Sequence, residues 1–200
     1  MTRLCWLLLA ALAALPLGAC SKNEPRDERP CECGPTTPVV DPALLAFLSQ
    51  ARSAHHVADA REATGDQGGA LAALQALTAA AKPPGKAPEV EEVLADTRAR
   101  IADLSSQLGR FDDADAAIAA GLENAPSPTY FRGHLFEVRG AVEERREKAL
   151  RVKGDGQEAD RARERSLAAY EEAMRIQAQV IRETIDGSAG RAAPAPSSSK

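Results

Sequence analysis

The side chains that could do chemistry in this sequence gather at His55, His56, Asp59 and Glu62. His55 and Asp59 are four residues apart, so on a helix they lie one turn apart on the same face. A zinc site usually has a further His or Cys ligand, and the one remaining histidine is His134. The spacing therefore favours a solvated helix face or a surface that contacts a partner, and we expect no metal or other cofactor.

The rest of the sequence gives no sign of catalysis. No serine lies in a nucleophile-elbow sequence, no glycine-rich loop follows a strand, and no His–Cys or His–Ser spacing suggests a nucleophile and its base. Adjacent acidic residues occur at 112–113, 143–144 and 171–172, but neighbours on a helix point about 100° apart and form surface charges. The basic residues between 139 and 153 are interleaved with glutamates and lack aromatic residues for stacking bases. We therefore expect neither an enzyme nor a nucleic-acid-binding protein, and no small-molecule substrate is evident.

Two of the four cysteines form a close pair, Cys31 and Cys33, in the sequence Pro-Cys-Glu-Cys-Gly-Pro. In an oxidising compartment these thiols could form a small strained disulfide with each other or a bond to another chain. A metal or redox site is the alternative, although no second Cys or His pair lies nearby in the sequence to complete a metal site. We expect the two thiols to be oxidised, either to each other as a possible disulfide or to a partner chain.

The first nineteen residues have the composition of a secretory leader. Arg3 is followed by an almost unbroken apolar segment over residues 4–15, and the segment Leu17-Gly18-Ala19 precedes Cys20. This end resembles the bacterial lipobox, which implies removal of residues 1–19 and acylation of Cys20. An ordinary secretory signal cleaved nearby is the alternative. Cleavage before Cys20 leaves 181 of the 200 residues and moves the formal net charge from −4 to −5, because Arg3 is the only charge lost.

The segments at the two ends of the remaining chain are too polar to fold. Residues 21–40 contain four prolines and few apolar residues, and residues 187–200 are rich in Gly, Ala, Pro and Ser. We expect residues 20–40 to be a lipidated cysteine with a disordered tether and residues 187–200 to be a disordered tail. The folded domain then covers residues 41–186.

Within residues 41–186 the apolar residues recur every three or four positions, which predicts an all-α protein of six helices. Asp41-Pro42 starts the first helix, and Ser127-Pro128 caps the fifth. Glycine or proline interrupts the pattern near residues 65, 83, 109, 126 and 154, so three antiparallel helical hairpins follow. The sixth helix carries these apolar residues: Leu167, Tyr170, Met174, Val180 and Ile185.

Two of the hairpins share a sequence pattern 44 residues apart. In each, a turn glycine is followed after five residues by alanine, after nine by a large apolar residue and after twelve by a further apolar or small residue. The two sets are Gly65, Ala70, Leu74 and Leu77, and Gly109, Ala114, Ile118 and Gly121. Together with Pro126, the second set resembles the tetratricopeptide repeat.

The resemblance covers residues 50–185, with a best copy at 95–128, a weaker one at 51–84 and a third from Thr129 to about 173. In the best copy Ile101 matches the first-helix pattern of the family, whereas Arg98, Ala102 and Ser105 depart from it. The resemblance implies a right-handed solenoid of about three degenerate repeats. A plain Ala-rich helical bundle is the alternative.

In a tetratricopeptide solenoid the first helix of each hairpin lines a concave groove. The resemblance places five residues of this chain there: His55, Asp59, Glu62, Asp103 and Glu137. Four of the five are carboxylates, so the implied groove is acidic and suits a basic or polar segment of a partner protein.

The leader and the repeats together suggest a membrane-anchored envelope lipoprotein that acts as a protein-binding module or assembly scaffold. Its expected partners are the lipid bilayer, through acylated Cys20, and one or more envelope proteins. Tetratricopeptide lipoproteins include secretin pilotins and components of outer-membrane protein assembly. Ser21 after Cys20 favours the outer membrane, facing the periplasm. The alternative is a helical spacer on a lipid tether with no partner groove.

Overall fold

The structure, a computed structural model, describes residues 41–192, with side chains as far as residue 187. The predicted leader, tether, lipid-attachment residue Cys20 and disulfide pair Cys31–Cys33 lie outside this range. Within it the chain forms six helices and no strand, which confirms the all-α class. The helices are α1 (Pro42–Ala63), α2 (Gln67–Ala79), α3 (Pro88–Gln107), α4 (Phe111–Asn124), α5 (Tyr130–Lys153) and α6 (Gly156–Ala192).

The helix starts follow the local sequence, with one exception. Asp41 caps α1 by accepting a hydrogen bond from the Ala43 amide at 2.8 Å, and Pro42 fills the first position of the helix, as predicted. The predicted cap of the fifth helix at Ser127-Pro128 is wrong. Thr129 caps α5 instead: its backbone is extended, and its hydroxyl oxygen accepts a hydrogen bond from the otherwise unpaired Arg132 amide at 3.2 Å.

The same glycine turn closes the first helix of all three hairpins. Gly65, Gly109 and Gly154 have φ angles of 81°, 73° and 83°, in the left-handed region where a Cβ atom is unfavourable. In each turn the amide of the next residue donates to the carbonyl five residues before it, at 2.8, 2.9 and 3.0 Å. The turn glycines are 44 and 45 residues apart, so the repeated turn extends to the third hairpin.

Each hairpin pairs an odd-numbered helix with the helix that follows it, and the hairpins pack against one another in chain order. The first helices contact each other, α1 with α3 and α3 with α5, while α2 also contacts α3 and α4 also contacts α5. The apolar core follows these contacts from Phe47 and Leu94 at one end, through Leu74 and Leu104, to Ile118 and Leu135 at the other.

The last hairpin is built differently from the first two. The side of α6 that packs on α5 consists mainly of small residues: Ala159, Ala162, Ser166, Ala169, Ala173 and Ile176. Leu167 and Met174, expected among the apolar residues of the sixth helix, are instead 56% and 62% exposed. The helix also continues to Ala192, past the predicted boundary at 186.

None of the helices in residues 41–192 is long and apolar enough to span a lipid bilayer.

Candidate functional site

The predicted groove residues of α1 meet an arginine of the next hairpin. Arg100 of α3 places Nη2 2.5 Å from the Asp59 carboxylate and also donates to Glu62. Its Nη1 lies 3.5 Å from Nδ1 of His55. The structure thus brings His55, Asp59 and Glu62 together around one cation, because they lie on the side of α1 that faces α3.

The hydrogen bonds of His55 define its tautomer. Its Nε2 is 3.0 Å from the Thr97 hydroxyl, whose own proton is donated to the Val93 carbonyl at 2.7 Å. The hydroxyl oxygen therefore accepts from Nε2–H, which leaves Nδ1 without a proton and directed at Arg100. Burial lowers the pKa of His55, and Arg100 acts in the same direction, while Asp96 and Asp59 oppose the shift without reversing it. The imidazole is therefore neutral at pH 7.

Asp103, the predicted groove residue of α3, is paired in the same way with the third hairpin. Arg145 of α5 places Nη1 2.7 Å from the Asp103 carboxylate and 2.7 Å from the Ser106 hydroxyl. Both side chains of the ion pair are about one third exposed. Asp103 is therefore held at the contact between α3 and α5 and is still partly open to solvent.

Glu137, the fifth predicted residue, is the most independent of the set. Its carboxylate is 56% exposed and lies 3.5 Å from Nδ1 of His134 on the same helix. The side chain is also close enough to Tyr170 of α6 to act on it. Burial raises the pKa of Tyr170 first, and the charges of Glu144 and Glu137 raise it further. Glu137 therefore belongs to the surface where α5 meets α6, and the structure does not bring it together with the other four predicted residues.

The arginines were missed at the sequence level, although their positions repeat. Arg100 and Arg145 each lie nine residues before a turn glycine. Asp59 and Asp103, which they bind, each lie six residues before the preceding turn glycine. Glu62 and Ser106, the second acceptors, are also equivalent, three residues before a glycine. We call these two pairings, Arg100 with Asp59 and Glu62 and Arg145 with Asp103 and Ser106, the arginine ladder.

The surface formed by α1, α3 and α5 therefore carries both signs of charge. The four predicted carboxylates and the two ladder arginines sum to a formal charge of −2, with His55 neutral. We call the surface that carries His55, Asp59, Glu62, Asp103 and Glu137 the first-helix face. In the described part of the chain, no three or more His, Cys, Asp or Glu side chains form a group that could hold a metal ion.

Three further arginines of α5 and α6 are also paired with carboxylates. Arg146 donates to Asp115 of α4 at 2.5 Å, and Arg151 contacts Asp160 of α6 at 2.9 Å. Arg165 of α6 lies 2.9 Å from Glu143, whose side chain is only 8% exposed. Arg146 and Arg165 line a cleft between α4, α5 and α6. Each of the three arginines joins neighbouring helices, so together they do not form an unbalanced basic patch of the kind that binds nucleic-acid phosphates.

Comparison with known proteins identifies no relative: the chain matches no protein-family model, no curated protein and no solved structure.

Proposed function

We propose that this chain is a membrane-anchored envelope lipoprotein whose helical domain binds a partner protein through a tetratricopeptide-like array of three hairpins. Three observations support the array. The turn glycines recur at 44 and 45 residues, each first helix contacts the next, and the arginine ladder repeats the same contact at both junctions between hairpins. Side-by-side first helices are what a solenoid needs to present one continuous binding surface.

The observation that carries the proposal is the arginine ladder. It holds α1, α3 and α5 next to one another and so fixes the positions of the exposed groups between them. Asp59 is more than half exposed there, while Arg100 and Arg145 keep part of their guanidinium groups in solvent. Glu137 adds a carboxylate that is more than half exposed on α5. A basic or polar segment of a partner could bind the exposed carboxylates. The membrane attachment rests on Cys20 and the leader before it.

The alternative is a helical spacer on a lipid tether, and one observation favours it. Three of the predicted groove carboxylates, Asp59, Glu62 and Asp103, already have arginine partners within the chain. Charges used to join helices serve stability without any partner. The two functions differ in whether the remaining charge of the first-helix face matters for binding.

The test is capture of an envelope protein by two triple variants of the full chain. The first changes the face to isosteric amides: Asp59→Asn, Asp103→Asn and Glu137→Gln. An amide oxygen still accepts from the ladder arginines, so the helices stay joined while the negative charge is lost. The control changes three exposed carboxylates of α4: Asp112→Asn, Asp113→Asn and Glu123→Gln. Far-UV circular dichroism confirms that both variants remain helical.

After cross-linking in cells, we expect the wild type and the control to capture the same protein. The face variant should capture at least about tenfold less of this protein, because a few charge pairs with the partner are lost. Equal capture by both variants would mean that the partner does not use the first-helix face. If the wild type captures nothing specific, the spacer is the better description. Membrane fractionation of Cys20→Ala tests the anchor separately, and retention of this variant in the membrane would exclude lipidation at Cys20.

A further inference from the structure

Helix α6 has two apolar faces, one buried and one exposed. Its buried residues Ala162, Ala169 and Ile176 recur every seven positions and pack towards α5. Leu167, Met174 and Ile181 also recur every seven positions, but Leu167 and Met174 each lie two residues before a buried one. They also lie one residue after the buried Ser166 and Ala173, so this second set lies about 100–130° around the helix from the side that packs on α5. We call Leu167, Met174 and Ile181 the outer stripe.

The outer stripe is exposed in the described part of the chain, where α6 packs against α5 alone. Its three side chains are 56%, 62% and 59% exposed. The equivalent helices α2 and α4 contact the next hairpin as well as their own first helix, and their Leu74 and Ile118 are fully buried. Aligned large apolar residues on a surface helix mark a contact surface.

We infer that the outer stripe binds helix α6 of a second copy of this chain, with the two α6 helices antiparallel. The seven-residue spacing is that of a coiled-coil seam, and Ala178 adds a small residue to it between Met174 and Ile181. When Met174 of one copy faces Ala178 of the other, two-fold symmetry places Ile181 opposite Glu171. Leu167, Met174 and Ile181 of one copy then lie against Ile185, Ala178 and Glu171 of the other, and the two-fold axis repeats each contact.

Charge complementarity supports this occupant and this direction. Glu171 lies in the seam between Leu167 and Met174, and Arg182 lies beside Ile181. Each is exposed without an ion-pair partner in the part of the chain that the structure shows. In the antiparallel alignment Glu171 of one copy lies within about one residue of Arg182 of the other, and symmetry repeats the pair. A parallel alignment would place Glu171 beside Glu171 and lose both pairs.

A further hairpin of the same kind is a poorer occupant, because the arginine ladder ends at α5. The position six residues before Gly154, where Asp59 and Asp103 lie in the first two hairpins, is Lys148. A lysine cannot accept from another arginine, so the array offers no ladder acceptor for a fourth hairpin.

Site-specific photo-cross-linking in cells tests the inference on the full chain. A photoreactive phenylalanine analogue replaces Met174 or Ile181, and the control replaces Val152, which is 89% exposed at the end of α5 and outside the outer stripe. On reducing gels we expect a homodimer from positions 174 and 181 and none from 152. Mass spectrometry should map the adduct from 181 to peptides around 171. Adducts only to another protein or to lipid, no dimer, or an adduct from 181 to 181 would overturn the inference.

A charge swap tests the register with the cross-linker kept at 181. Glu171→Arg alone puts like charges together in both symmetric pairs, and Arg182→Glu alone does the same. We expect each to reduce the dimer about fivefold or more. Co-expression of the two variants with different tags should restore a mixed dimer, because every pair is then opposite in charge. Unchanged dimer yield in the single variants, or no recovery on mixing, would refute the antiparallel pairing.

Discussion

The two junctions between successive hairpins share the arginine ladder but differ beside it. At the first junction His55 of α1 hydrogen-bonds to Thr97 of α3. His55 lies ten residues before its turn glycine and Thr97 lies twelve before the next one. The residues at the same positions in the second junction are Ala99 and Val142, which are fully buried in one apolar cluster.

This difference shows how a repeated framework can carry two kinds of contact. The ladder and the glycine turn place the first helices at similar positions in both junctions. The residue pair beside the ladder, His55 with Thr97 or Ala99 with Val142, therefore determines which substitutions and pH changes each junction withstands. The second pair is apolar, and α3 packs more extensively on α5 than on α1. The first pair needs two hydrogen-bonding groups to stay matched, and one of them can take up a proton.

The largest effect should come from moving the histidine of the first junction into the second. Ala99→His puts an imidazole into a fully buried position beside Val142, where the apolar cluster offers no hydrogen-bond partner. We expect a loss of about 2–4 kcal/mol in the free energy of unfolding, from overpacking and an unpaired polar group. Urea unfolding followed by circular dichroism measures this loss.

Ala119→His, on the exposed side of α4, is the control and should change stability by less than about 0.5 kcal/mol. Similar values for the two variants would mean that the second junction is not closely packed.

The next largest loss of stability should come from replacing a turn glycine, and it should be equal for the first two hairpins because their turns are the same. Gly65→Ala and Gly109→Ala each force a Cβ atom into left-handed backbone, at a cost of about 1–2 kcal/mol in the free energy of unfolding. Gly68→Ala is the control, since Gly68 is helical with open space around its Cα atom, and should be neutral or slightly stabilising. A clear difference between Gly65→Ala and Gly109→Ala in urea unfolding would show that the two turns are not equivalent in solution.

Much of this architecture follows from the sequence, and the failures have physical causes. Turn residues and apolar spacing predict six helices, because glycine and proline act through local backbone geometry. The orientation of α6 could not be predicted, since its two apolar sets have the same spacing and the larger residues, Leu167 and Met174, belong to the exposed one. Arg100 and Arg145 were missed because their partners lie about forty residues away, and only the position relative to the turn glycine connects them.

Removing the ladder arginines should affect the first junction more than the second. Arg100→Met leaves Asp59 and Glu62 close together without a cation, whereas Arg145→Met leaves Asp103 beside a neutral hydroxyl. We expect losses of about 1 and about 0.5 kcal/mol in the free energy of unfolding, because the pairs are partly exposed and screened. Arg175→Met, which breaks a pair within the exposed surface of α6, should have almost no effect. The difference between the stability losses of Arg100→Met and Arg145→Met should become smaller in high salt. A larger loss for Arg145→Met than for Arg100→Met would contradict the comparison.

At neutral pH the smallest effect should come from His55, whose pH dependence is confined to the first junction. Burial gives His55 a lower pKa in the folded chain than its ordinary value of 6.5, so the unfolded chain binds the proton more readily. Stability contributed by this group is therefore complete above about pH 6.5 and falls as the pH drops below it, by at most about 1.4 kcal/mol per pH unit for one proton. Protonation would place an N–H at Nδ1, which faces Arg100 at 3.5 Å.

Two neighbouring histidines allow this pH effect to be assigned. His55→Gln keeps a donor for Thr97 but cannot be protonated, so unfolding free energies between pH 5 and 7 should lose the slope that the wild type shows. His56→Gln removes the exposed neighbour, whose nitrogen is 3.9 Å from Asp59, and should keep that slope. If His55→Gln and the wild type have the same slope, the titration that weakens the domain lies elsewhere. The polar pair at the first junction would then be only a packing variant of the apolar pair at the second.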